Sequence, residues 1–161
     1  MKINVDLVEK QKKELIEDII SGQNHSYISV CNLEAGVGKT RTAEQGIAQG
    51  VKQGQRYIFV RQRDDDCAES AEAINKLCGK KVALPYNNKI YTTQGERLNA
   101  QKQFHRYPVL AITHSKYLSL IQDTKQRKIF AAGRSGLIID EFIDTVSRLQ
   151  LSMVDGRFKH Y

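Results

Sequence analysis

Two short runs in this 161-residue chain hold the residue types that phosphate chemistry needs. The first is LEAGVGKT, Leu33 to Thr40, a glycine-bearing loop that ends in Lys-Thr. Gly36 and Gly38 leave backbone N–H groups free to curl around phosphate oxygens, because no Cβ stands in the way. Lys39 can then reach the β and γ phosphates, and Thr40 offers a hydroxyl to Mg²⁺. The expected ATP-binding stretch is Glu34, Ala35, Gly36, Val37, Gly38, Lys39, Thr40 and Arg41. The strict loop pattern begins with glycine, where this chain has Leu33. The second run is LIIDE, Leu137 to Glu141, an apolar stretch that leads into two adjacent carboxylates. Asp140 suits a Mg²⁺ ligand, and Glu141 is placed to polarise the water that attacks a γ phosphate. Taken singly, the loop is open to reading as a glycine-rich turn and the acids as a solvated turn. Phosphoryl transfer needs both a phosphate cradle and a metal-holding acid, so the two runs are read together. They give a catalytic set of Lys39, Asp140 and Glu141, a metal pair of Thr40 and Asp140, and ATP and Mg²⁺ as cofactors.

Such residues work only if strands and helices bring them together. Tyr27 to Cys31 (YISVC) is a compact, partly β-branched run of strand length before the loop, and Thr40 to Gln53 reads as the helix after it. This order puts the loop at a helix N-terminus, where bound phosphate is favoured. The pattern repeats with a strand at Tyr57 to Val60 and an alanine-rich helix at Cys67 to Leu77 closed by Gly79. Val109 to Thr113 is a third strand, Ser115 can cap a helix over Lys116 to Gln122, and Leu137 to Ile139 is a fourth strand. Lys89 to Thr92 allows a short extra strand, and Leu7 to Ile20 reads as an opening helix ended by Ser21-Gly22. Strands apolar on both faces that alternate with helices predict an α/β domain with a mostly parallel central sheet covered on both sides.

Composition narrows the function classes. With 40% hydrophobic and 27% charged residues, the chain has the mix of a globular domain, and no apolar run approaches a membrane span. No signal-peptide core is visible near Met1 to Leu7, which points to a cytoplasmic protein without membrane association. The three cysteines, Cys31, Cys67 and Cys78, show no metal-site spacing and read as reduced core residues. The net charge is +7, and the segment Arg97 to Arg134 holds eight Lys or Arg against the single acid Asp123. A polyanion could be held there through phosphate contacts, or the segment could be a solvated basic face.

With these residues in view, the chain resembles the superfamily 2 helicases and translocases over most of its length. LEAGVGKT resembles motif I of that family, DEFI (Asp140 to Ile143) resembles its DExx box, and the spacing between Lys39 and Asp140 is similar to the family's. The resemblance implies a three-layer RecA-like P-loop domain over residues 1–161, an ATP hydrolase that acts on single-stranded or duplex nucleic acid. EKQKKELIEDII is similar to the family's adenine-reading Q motif, which implies a base-selecting role for Gln11; a plain helix-surface glutamine is the alternative. FVRQRDDD (Phe59 to Asp66) sits where motif Ia would lie, implying nucleic-acid contacts by Arg61, Gln62 and Arg63. LAITHSKYL (Leu110 to Leu118) is similar to a later strand-end motif, implying contacts by Thr113, His114 and Ser115. His114 could equally be a capping or core histidine, and the arginines plain surface charge.

The sequence departs from the family at Ile143, where many relatives carry an aspartate or histidine. The motifs present stop at the DExx box, so the resemblance implies that a second RecA-like domain, absent from residues 1–161, or a partner chain completes the ATP site. An arginine finger from that domain would be worth about 10³ or more in rate. Residues 1–161 alone are then expected to bind ATP better than they hydrolyse it. Two further readings stay open: a phage-type DNA-packaging or other P-loop translocase ATPase, and a non-catalytic module whose nucleotide occupancy positions a partner.

Overall fold

The computed structural model describes residues 5–21, 29–31, 33, 36–141 and, as backbone, 152–154 and 157–159. In chain order these form α1 (Val5–Ser21), α2 (Lys39–Lys52), β1 (Tyr57–Arg61), α3 (Asp64–Cys78), β2 (Ala83–Tyr86) and α4 (Gln94–Lys102). A short 3-10 turn (Phe104–Arg106), β3 (Val109–Thr113), α5 (His114–Gln122), α6 (Thr124–Ala131) and β4 (Gly136–Ile139) follow. The sheet is wholly parallel in the order β2-β3-β1-β4. A separate two-stranded sheet pairs β5 (Ser152–Val154) antiparallel with β6 (Arg157–Lys159).

The period of two along β1 divides the core. Tyr57 and Phe59 point to one face, where they meet Ile19 of α1, Ala43 and Ile47 of α2, and Cys67, Ala71 and Ile74 of α3. Ile58 and Val60 point to the other, against Ala100 of α4, Leu120 of α5 and Phe130 of α6. Both faces of β1 and β3 are therefore buried, as parallel strands require. The second face is knitted by aromatic edges: Tyr86, Phe104 and Phe130 pack with ring centroids 4.8–5.3 Å apart. Tyr57 locks α1 onto the sheet, its hydroxyl donating to the Ile19 carbonyl at 3.0 Å. Its ring lies so close to Gly136 that a Cβ there would collide with it. Burial pushes the Tyr57 phenol up to about 12.

Several expected elements differ. The stretch expected as a strand at Tyr27 to Cys31 is not one where it is described: residues 29–31 carry no regular structure, and Val30 is 76% exposed. The Ser29 hydroxyl instead donates to the Asp18 carboxylate at 2.8 Å, tying this stretch to the end of α1 rather than to the sheet. Residues 27 and 28 lie outside the described residues. Lys89 to Thr92 is not a strand either. Asn87 turns the chain there, its side-chain oxygen accepting from Ile90 N–H at 2.9 Å while its amide donates to the Asp64 carbonyl at 2.9 Å. The edge strand beside β3 is β2, whose Pro85 is tolerated because, among the described residues, β2 pairs on one side only. The cap of α5 is Thr113 rather than Ser115: its hydroxyl accepts from Lys116 N–H at 3.1 Å, which starts the helix at His114. Helices α4 and α6, in or beside the basic segment, were not expected, unlike α5 between them; α4 starts at Thr93 with a reciprocal Thr93–Glu96 capping box.

Candidate functional site

In parallel sheets, ligands gather beyond the carboxyl ends of the strands, and here that end assembles groups from four separate stretches. The loop turns through Gly36 and Gly38, with φ of 82° and 88°, values that a side chain would oppose. Gly38 leads directly into α2, whose first residues are Lys39 and Thr40. The Lys39 ammonium folds back on its own loop and donates to the Leu33 carbonyl at 2.8 Å, while the Leu33 side chain is buried beneath. Thr40 faces the sheet. Its hydroxyl donates to the Asp140 carboxylate at 2.7 Å, joining residues 100 apart in sequence.

Asp140 is held on every side. Its backbone N–H donates to the Val60 carbonyl at 3.0 Å, extending the β4 ladder by one step. Its carbonyl lies 3.1 Å from His114 Nε2, a contact that requires the proton on that nitrogen. Its carboxylate takes the Thr40 hydroxyl and also pairs with the Arg61 guanidinium. Arg61 in turn donates to Thr40 Oγ1 at 3.2 Å and lies over the Phe59 ring. Both members of the Arg61–Asp140 pair are 11% exposed. Glu141 follows with φ of 72°, an uncommon left-handed conformation for a residue with a Cβ, and its side chain is exposed. Burial pushes the His114 imidazole below its ordinary range, against a pull upward from Glu141 and with a push down from Arg61.

The expected residues therefore separate into groups. Gly36, Gly38, Lys39, Thr40 and Asp140 converge on one end of the sheet, Val37 lies in the same turn, and Arg41 is exposed on α2. Glu34 and Ala35 lie outside the described residues. Gln11 sits inside α1, not ahead of it, half-buried. Of the six residues expected at nucleic acid, Arg61 is turned inward onto Asp140 and Thr40, and Thr113 spends its hydroxyl on the α5 cap. Gln62, Arg63 and Ser115 are exposed near the same sheet end, and Arg63 N–H is bonded to Asp66 at 3.0 Å, fixing the start of α3.

Two features were not anticipated from sequence. Glu44, one helical turn beyond Thr40 on α2, is a buried carboxyl whose pKa is raised by burial, with partial relief from the Ser70 hydroxyl and the charges of Arg61 and Arg41. Its i+4 spacing from Thr40 was the available signal. The basic segment is also partly structural. Lys116 lies 4.9 Å over the Phe130 ring and has its pKa lowered by burial, and Arg134 donates to four backbone carbonyls. Lys102, Arg106, Lys125, Arg127 and Lys128 remain exposed. Among the cysteines, Cys67 is buried and pushed up to about 12 by burial, whereas Cys31 is exposed rather than in the core.

Thr40 and Asp140 supply two hard oxygen donors side by side, which fits a Mg²⁺ ion that keeps water and phosphate oxygens as its other ligands. Among the described residues no cluster of three or more His, Cys, Asp or Glu offers a denser metal site. The groove of about 330 Å³ on the α5–α6 face, lined by Ile58, Tyr117, Phe130 and Leu137, lies away from the loop side chains. No helix among the described residues is long and apolar enough to cross a membrane. Comparison with known protein-family models gives no match, and comparison with curated proteins gives none of significance.

Proposed function

We propose that this chain is an ATP-binding motor domain of the superfamily 2 helicase and translocase type, which uses nucleotide to act on nucleic acid. The observation that carries the reading is the 2.7 Å contact between Thr40 and Asp140, which joins a glycine loop at a helix start to the acid at a strand end. A turn that merely capped α2 would have no need of a carboxylate 100 residues away. In this reading the N–H groups of the loop and of the first turn of α2 bind the phosphates. Lys39 leaves the Leu33 carbonyl for the β and γ phosphates, and Thr40 and Asp140 hold Mg²⁺. The bound ion supplies charge neutralisation on the phosphate oxygens. Glu141, exposed beside Asp140, orients and deprotonates the attacking water, while the bond from His114 holds the Asp140 backbone in place.

Binding of a fluorescent ATP analogue with Mg²⁺ to wild type and Lys39→Ala tests this, with and without single-stranded DNA. Wild type binds and the variant is weaker by about a hundredfold or more in affinity, the worth of one or two charge-assisted bonds to phosphate. Equal binding by both would remove the phosphate-cradle assignment. A second reading, a non-catalytic module that senses nucleotide, draws on the closed state of the site: Lys39 and Asp140 both already have partners within the protein. Binding without turnover, even with a second motor domain added, would select it.

A further inference from the structure

Among the residues at the sheet end, the resemblance implies a nucleic-acid contact for Arg61, yet its guanidinium lies against the Asp140 carboxylate. We infer that Arg61 is the resident cation of this site, holding the position on Asp140 that a divalent ion takes, so that the nucleotide-free protein excludes the ion and cation binding requires Arg61 to leave. The inference rests on the reading of Thr40 and Asp140 as the cation-holding pair.

Three observations support it. Arg61 contacts both members of that pair, Asp140 by an ion pair and Thr40 by a hydrogen bond at 3.2 Å, and so lies on the same two oxygens that a divalent ion would use. Two positive charges placed against one carboxylate oppose each other strongly when both are largely withdrawn from water, and Arg61 and Asp140 are each 11% exposed. Finally, the guanidinium is only partly satisfied: its buried Nε–H has no hydrogen-bond partner among the described residues, and the Phe59 ring provides a face on which it can pivot. Arg56 and Arg134 bury an unpartnered Nε–H as well, so it is the charged partner Asp140 that sets Arg61 apart. Glu44, buried on α2 and within the electrostatic reach of Arg61, is the acid available to receive it after release.

The consequence is an exchange: nucleotide phosphate draws Arg61 off Asp140, and only then do Thr40 and Asp140 accept the ion. By linkage, the residue that blocks the ion also sets how strongly nucleotide and ion promote each other's binding.

The test is Mn²⁺ binding to nucleotide-free protein, read from the free-ion EPR signal, for wild type, Arg61→Gln, Arg61→Met and the double variant Arg61→Gln/Asp140→Asn. Both single variants gain Mn²⁺ affinity by about tenfold or more over wild type, the scale of a typical coupling, and the double variant loses the gain. The inference is overturned if Arg61→Gln or Arg61→Met, folded by circular dichroism, shows no gain, or if the gain survives in the double variant. Wild type can overturn it even if both single variants fail to fold, through tight Mn²⁺ binding that Asp140→Asn abolishes. Nucleotide binding measured on the same samples separates this from the functional reading. Lys39-dependent nucleotide binding without a Mn²⁺ gain sinks the exchange and leaves the motor reading standing. A Mn²⁺ gain in protein that binds no nucleotide sinks the motor reading and leaves Arg61 standing as the resident cation that excludes the ion.

Discussion

Arg56, Arg61 and Arg134 each bury an Nε–H that has no hydrogen-bond partner among the described residues, but their other contacts divide them. Arg56 and Arg134 converge on the 3-10 turn before β3. Arg56 donates to the carbonyls of Phe104, His105 and Tyr107 at 3.2–3.3 Å, and Arg134 to Phe104 and Tyr107 at 2.8–2.9 Å as well as to Phe130 and Ala132. Their acceptors are neutral backbone groups, among them the Phe104 carbonyl, which also accepts from Tyr107 N–H at 3.2 Å. Arg61 has a charged partner, Asp140, at the strand end where the loop through Gly36 and Gly38 arrives. The first arrangement closes a structure, since nothing soluble competes for those carbonyls. Under the proposed function the second can be exchanged, because a carboxylate facing a phosphate cradle has other cations to choose from. The mutual repulsion of the paired arginines is visible in Arg134, whose pKa is lowered to about 10, by burial first and by Arg56 second.

Arg134→Ala gives the largest effect in this comparison. It strips the side-chain donors from two carbonyls of α6 and its turn and leaves two more to Arg56 alone, at a cost of about 3 kcal/mol. For a chain of this size that is a fall in Tm of about 10 °C, measured by thermal unfolding. Nucleotide affinity at temperatures where the variant remains folded stays at the wild-type value. A large fall in affinity in folded Arg134→Ala would erase the division between the two arginine groups.

The second effect is smaller and depends on the ion. Arg61→Gln leaves Asp140 largely buried without its countercharge, so the variant is less stable than wild type in the absence of divalent ions. Adding Mg²⁺ at about ten times its Kd restores about 1.4 kcal/mol. This appears as a Tm rise of about 4 °C in Arg61→Gln, with little change in wild type. A wild-type Tm that rises with Mg²⁺ as much as the variant's would place Arg61 with the structural arginines.

These two groups also explain what the sequence could disclose. The meeting of Thr40 with Asp140 was legible because both residue types stood in runs whose flanking elements follow simple periods. Strands β1, β3 and β4 were legible as apolar runs for the same reason. Strand β2 was not, because Pro85 breaks the pattern and an edge position tolerates it. The run at Tyr27 to Cys31 has strand composition, but composition does not say whether a sheet edge receives it, and Ser29 is engaged by Asp18 instead. Arg61 was misplaced for a related reason: charge and position next to a strand end are the same for an arginine that faces solvent and one that turns inward. Glu44 was overlooked because a lone acid on a helix usually faces water, and only packing against α3 and β1 reveals its burial.

The basic segment offers a third, finer test of the same division. Lys116 covers Phe130 at 4.9 Å, whereas Lys125 and Lys128 on α6 are exposed. Lys116→Met keeps the apolar stem and removes the cation–ring interaction, costing about 0.5–1 kcal/mol in stability. It leaves the salt dependence of single-stranded DNA binding unchanged. Lys125→Gln/Lys128→Gln does the reverse, lowering the slope of log affinity against log salt by about 1.4, or about 0.7 for each phosphate that is no longer neutralised. A slope unchanged by the double variant would take α6 out of the nucleic-acid surface and leave its charge as a solvated face.

The smallest effect belongs to His114, which connects α5 to the backbone of Asp140 and so to the Arg61 side of the comparison. Burial lowers its folded pKa below the ordinary 6.5, so between the two values the unfolded chain binds the proton and the folded protein does not. The sign follows: the neutral imidazole's contribution to stability is fully present above about pH 6.5 and is lost as pH falls through the lower folded pKa. In His114→Gln, whose amide can still donate to the Asp140 carbonyl, that portion of the acid-side decline disappears while stability at pH 8 is retained. Urea unfolding of both proteins between pH 5 and 8 measures the difference. Parallel pH profiles would mean that the imidazole takes up its proton in the folded site as readily as in water. A second positive charge would then stand beside Arg61 without penalty, which the packing of this sheet end argues against.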